Sequence, residues 1–144
     1  MSVRSAGRAP RRFRAADALE AAGIPPERVR SILPRVDPHR VWVRVAPRWF
    51  MALWAPGITA VAMPWGIYVH PERLAVPIAR LGTLMVHELT HIEQWRRLGP
   101  VGWAREYLGD YVAGRREGMG HSDAYRQIGL EVEARGTAHT VTGR

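Results

Sequence analysis

The sequence predicts a single α+β domain: a small antiparallel sheet of about three strands, packed on a long helix and further helices. Three observations carry this expectation. A chain of 144 residues can bury one self-sufficient core. Between Val41 and His70 apolar residues favour the period of two that marks half-buried strands. Beyond Pro77 they recur every three or four residues, the spacing of helices.

The chain begins with charge. Its formal net charge is +8, and every basic residue is arginine. Arg4, Arg8, Arg11, Arg12 and Arg14 fall in an acid-free opening, so residues 1–14 read as a flexible basic arm and 15–144 as the domain. Such an arm can contact nucleic acid or an anionic surface. With no aromatic interleaving beyond Phe13 and no nucleic-acid-binding fold motif, a solubilising tail is the simpler expectation. Cysteine is absent, which excludes a disulfide framework and thiolate metal sites. No apolar run approaches the roughly 18 residues of a membrane span, and no apolar segment follows the first arginines as in a secretory signal. The expected location is the cytoplasm.

Ala15 to Ala22 has a helical pattern closed by Gly23, and Pro26 to Leu33 a second, ended by Pro34. Val41 to Val45 is a strand. After an aromatic stretch from Trp49 to Pro56, Ile58 to Met63 and Gly66 to His70 read as two more, joined tightly at Pro64-Trp65-Gly66. The central helix runs from about Ile78 to Arg97 and stops at Gly99-Pro100. Val101 to Arg116 is another helix, broken by Gly118-Met119-Gly120. The last spans Asp123 to about Ala138.

The central helix carries His87-Glu88-Leu89-Thr90-His91, an H-E-x-x-H pattern. Residues four apart share a helix face, so His87 and His91 can offer imidazole nitrogens to one metal ion with Glu88 beside them. Hydrolytic zinc sites use three protein ligands and leave a fourth position for water, whose proton a neighbouring carboxylate can take. The pattern alone is weak. Its context strengthens it: the three polar residues interrupt a helix whose Leu81, Leu84, Met85, Leu89 and Ile92 belong in a core, where polar groups must be paired or bind metal.

A third ligand must come from elsewhere. Glu131 and Glu133 on the last helix lie two apart, so only one can face the metal; the other belongs in solvent, with Arg126 or Arg135 as its partner. His121 and His139 are further candidates, although a lone loop or terminal histidine is more often an ordinary surface residue.

His-Glu-Leu-Thr-His-Ile-Glu-Gln-Trp, followed by Glu-Val-Glu-Ala-Arg some forty residues on, resembles the gluzincin clan of zinc metallopeptidases, closest to small single-domain bacterial HExxH proteins. The likeness spans residues 58–138. It implies a minimal zincin-like fold, with His87 and His91 as zinc ligands and Glu88 as general base. The clan's E-x-x-A-D form maps its ligand onto Glu131, with Glu133 as the alternative. Arg135 departs from that form, standing where relatives often have an aspartate that supports a ligand histidine. In gluzincins extended peptide pairs with the edge of a strand preceding the active helix, and Gly66 to His70 is the natural counterpart. Tyr107, Tyr111, His121 and Tyr125 lie between the ligand helices and are oxyanion candidates, with packing as the simpler role for each.

The leading expectation is therefore a zinc-dependent peptidase acting on a peptide or protein. The alternative is a non-catalytic binding module, stabilised by metal, that uses its basic N-terminal arm for nucleic acid or an acidic partner. A metal-free helical protein comes third.

Overall fold

Alternation of one buried face with one outer face builds the sheet at the centre of this chain. The computed structural model describes residues 7–143. Strands β1 (Arg12–Arg14), β2 (Trp42–Val45), β3 (Ala60–Met63) and β4 (Gly66–Val69) form a single sheet in the order β1-β2-β4-β3. Phe13, Val43, Ala62, Ile67 and Val69 point inward and are buried. β1–β2 and β3–β4 pair antiparallel, whereas β2 and β4 run parallel with Val43 opposite Ile67.

The domain is α+β as expected, but the sheet has four strands and is mixed rather than three-stranded and antiparallel. The extra strand comes from the expected arm. Phe13 inserts into the core, and the Ala9 N–H donates to the carbonyls of Leu74 and Val76 at 3.1 and 2.9 Å. Residues 7–14 are therefore part of the fold, while 1–6 of that arm lie outside the described residues. Parallel pairing of β2 and β4 follows from the 20-residue passage between them, which crosses back through helix α3 (Arg48–Met51) and β3.

Helices α1 (Ala15–Ala21) and α2 (Pro26–Ile32) flank the sheet, with Leu19 and Val29 fully buried. Two short 3-10 turns, Pro71–Ala75 and Ile78–Leu81, lead into α4 (Gly82–Arg116). Met85, Val86, Leu89 and Ile92 bury the inner face of α4 beneath the sheet. Gly99 adopts φ 72°, ψ 168° before Pro100, so α4 kinks where the sequence places a stop. The expected last helix is two, α5 (His121–Arg126) and α6 (Gly129–Thr142). At the division Ile128 leaves helical geometry (φ −58°, ψ 126°), and the Gly129 N–H freed there donates to Asp110 Oδ2 at 2.9 Å. Among the described residues, no helix is long and apolar enough to cross a membrane.

Candidate metal centre

The H-E-x-x-H segment lies in the straight first half of α4, where it is pressed against the first turn of α6. His87 and His91 sit one turn apart with rings edge to face and Nε2 atoms 3.2 Å from each other. Glu131, on α6, completes a triangle. Its Oε2 lies 3.2 Å from His87 Nε2, and its Oε1 3.2 Å from His91 Nε2. Four ligands at ordinary zinc distances are separated by about 3.3 Å at the edges of a tetrahedron. Each imidazole here meets a different carboxylate oxygen; one donor atom from each of the three residues lies within 4.8 Å of the others, and their residue types match such a site.

Glu133 is excluded from this group by its own contacts. Its two oxygens accept paired hydrogen bonds from Arg97 at 3.1 Å, so the expected solvated glutamate does have an arginine partner, drawn from α4 rather than from Arg126 or Arg135. His121 hydrogen-bonds with Tyr111, Nδ1 to hydroxyl at 2.8 Å, and His139 is exposed on α6; the converging group is His87, His91 and Glu131.

A residue without an assigned role in the sequence reading sets the chemistry of His91. Gln94 is fully buried, and its amide Nε2 donates to the Leu130 carbonyl at 2.9 Å. That carbonyl can only accept, which fixes the amide orientation and leaves Gln94 Oε1 as an acceptor. Oε1 lies 2.9 Å from His91 Nδ1, so Nδ1 carries the hydrogen and the neutral imidazole presents the Nε2 lone pair toward Glu131 and His87. The signal was a polar residue three after His91, on the same helix face as the histidine.

The electrostatics follow from burial and proximity. Burial alone would lower the His91 pKa, but contact with the Glu131 carboxylate and the charge of Glu88 raise it to about 9. Burial pushes the Glu131 carboxyl up, and the hydrogen bonds from His87 and His91 outweigh it, holding the group well below the usual carboxylate range. Glu88 is different. It too is buried, and desolvation prevails over the two histidines, so its pKa is raised. Two carboxyls in one pocket are driven in opposite directions, one fixed as an anion and one able to hold a proton. The hydroxyl of Tyr125 donates to Glu131 Oε1 at 3.1 Å; burial foremost, then that carboxylate, raises its pKa.

A cavity of about 440 Å³ opens onto the three groups and Glu88. One wall is an aromatic stack running through the α4 kink: Trp95 on Trp103 at 4.2 Å, and Trp103 on Tyr107 at 4.6 Å. The opposite wall is β3 with Trp54 and Ile58. β3 is the edge strand there, whereas β4, expected to fill that place, is paired on both sides. Because the His70 N–H donates to the Thr59 carbonyl, alternation turns the main-chain groups of Ala60 and Ala62 away from the sheet. The Ala62 carbonyl is taken by the Trp95 indole N–H at 2.9 Å. The expected oxyanion candidates Tyr107, Tyr111, His121 and Tyr125 all line the cavity. Comparison with protein-family models, curated proteins and solved structures gives no significant match.

Proposed function

We propose that this chain is a zinc-dependent metallopeptidase of gluzincin type, with His87, His91 and Glu131 holding the metal and Glu88 as general base. The observation that carries this reading is the convergence of two imidazole nitrogens, 3.2 Å apart, on one carboxylate whose two oxygens each lie 3.2 Å from one of them, beside a second buried carboxyl. A zinc ion bound there would supply Lewis acidity, polarising a substrate carbonyl and acidifying water.

The chain's own residues would do the rest. Glu88, its proton affinity raised by burial, would accept a proton from the attacking water and return it to the departing amine. Ala60 would offer its outward main-chain N–H and carbonyl to an extended peptide. The indole N–H groups of Trp54 and Trp103 line the same cavity, are buried, and have no acceptor among the described residues; peptide carbonyls are acceptors of the right kind. Zinc suits two histidines and a carboxylate with an open position better than the harder divalent ions do.

The test is Glu88→Gln in a mass-spectrometric screen with a proteome-derived peptide library. The variant should retain one zinc per chain and lose cleavage by about 10²–10⁴-fold. Cleavage at the wild-type rate would show that Glu88 is not the base.

A further inference from the structure

The arginines of β1 reach a surface that no part of the proposed peptidase uses. In β1 the pattern exposed–buried–exposed puts Arg12 and Arg14 on the outer face of the sheet, with Phe13 inside. On β2 the outward residues are Trp42 and Arg44, and on β4 Tyr68. Register sets Arg12 beside Arg44, Arg44 beside Tyr68, and Arg14 beside Trp42. The Arg12 and Arg14 guanidiniums cover the Trp42 ring at 4.0 and 4.8 Å from its centroid, and Arg44 lies over Tyr68 at 5.9 Å. The aromatic interleaving missing from the linear sequence is supplied by strand pairing.

This arrangement carries a cost. Arg12 and Arg44 are like charges directly opposite each other on neighbouring strands, a destabilising pair. Among the described residues neither has a carboxylate partner, and no strand residue is acidic. The face is complementary to a polyanion. Guanidiniums held over rings without a carboxylate partner keep N–H groups available to phosphate oxygens.

The rings decide which polyanion. Trp65, 64% exposed, is tied by its indole N–H to the Tyr68 hydroxyl at 2.8 Å, so the side chain is held to the sheet face. A membrane anchor needs side chains that project into the headgroup region. A ring held on a basic sheet offers instead a platform for an unpaired base. We propose that the outer face of the sheet binds single-stranded nucleic acid, with phosphates on Arg12 and Arg44 and a base stacked on Trp65.

The experiment is fluorescence anisotropy of fluorescein-labelled dT12 and U12 with the full chain across a salt series, with vesicles of phosphatidylserine and phosphatidylcholine in a parallel sedimentation assay. Wild type should bind at least one oligonucleotide and lose affinity as salt rises. Arg12→Gln with Arg44→Gln should flatten the slope of log K against log salt by about 1.4, from roughly 0.7 per phosphate contact on a single strand. Trp65→Ala should weaken binding about tenfold while leaving the slope unchanged. Glu88→Gln should bind as wild type, keeping this surface separate from the cavity. If the double glutamine variant fails to fold by circular dichroism, Arg12→Lys with Arg44→Lys should retain the wild-type slope, and Trp65→Ala still tests the platform. No binding of either oligonucleotide overturns the proposal, as does binding that none of these variants alters. Tighter capture by the anionic vesicles would reassign the face to membranes.

Discussion

Gln94 gives the sharpest test of the proposed metal centre, because one buried side chain controls both the tautomer of His91 and the seating of the helix that carries Glu131. In Gln94→Leu, of similar volume, His91 Nδ1–H and the Leu130 carbonyl both lose partners that now stand at 2.9 Å. Each group left unsatisfied in the core costs about 1–3 kcal/mol. For the metal, loss of an outer partner typically weakens binding 10–100-fold, or about 1.4–2.7 kcal/mol. Gln94→Glu separates the two effects. It keeps an acceptor for Nδ1–H, so zinc affinity should hold or improve, while a carboxylate facing the Leu130 carbonyl should lower stability. Competition against a chromophoric chelator reads affinity, and urea denaturation reads stability. A folded Gln94→Leu protein whose zinc affinity stays within threefold of wild type would refute the tautomer argument.

Four further outcomes follow from the structure. Glu131→Ala should reduce zinc affinity at least 100-fold, whereas Glu133→Ala should leave metal content unchanged and cost under about 1 kcal/mol, since its pair with Arg97 is more than a third exposed; elemental mass spectrometry and denaturation distinguish them. In the metal-free protein His91, raised to about 9, must lose a proton to bind zinc, so calorimetry in buffers of different ionisation enthalpy should show proton release at pH 7, with affinity rising about tenfold per pH unit until near 9. The raised His91 stabilises the metal-free fold below its ordinary 6.5 and loses that contribution toward 9, while the lowered Glu131 stabilises it above its ordinary 4.5 and loses that on acidification; thermal stability from this pair should therefore be fullest between about 4.5 and 6.5, and stability rising from pH 6.5 to 9 would contradict the sign. Gly82→Ala should destabilise by about 1–3 kcal/mol, because its Cβ would sit 2.6 Å from Ala22 Cβ and 3.1 Å from Ile24 Cδ1; calorimetric melting should fall by about 3 °C for each kcal/mol.

What could be read before folding was whatever depended on neighbours in sequence. The strands at 41–45, 58–63 and 66–70 appear at Trp42–Val45, Ala60–Met63 and Gly66–Val69, because alternation is a local signal. The stop at Gly99-Pro100 survives as a kink because glycine permits the positive φ there. β1 stayed hidden because three residues with one apolar member carry no period; the strand forms because β2 supplies its ladder and the core accepts Phe13. Parallel pairing of β2 with β4 depends on how the intervening 20 residues cross, which no local pattern encodes. The same limit separated Glu131 from Glu133. Both are glutamates on one short helix, and their difference comes from α4, where Arg97 takes one and the histidines the other.

That choice explains why the centre is built across two helices that are fastened at several levels. Asp110 holds the first turn of α6 at Gly129, Gln94 holds Leu130, and Arg97 holds Glu133, so the residues around Glu131 are tied to α4 on both sides. Asp110 lies beyond the kink and the other two before it. Without the turn at Gly99, the second half of α4 would continue along the axis of the first, and Asp110 could not meet the start of α6 while Gln94 also does. The kink therefore has two consequences: it carries the stack of Trp103 and Tyr107 along the cavity, and it brings the helix back to brace the carboxylate that completes the triangle. The proposed ligand set is thereby preorganised, since the two imidazole nitrogens stand 3.2 Å apart and each lies 3.2 Å from one oxygen of the Glu131 carboxylate.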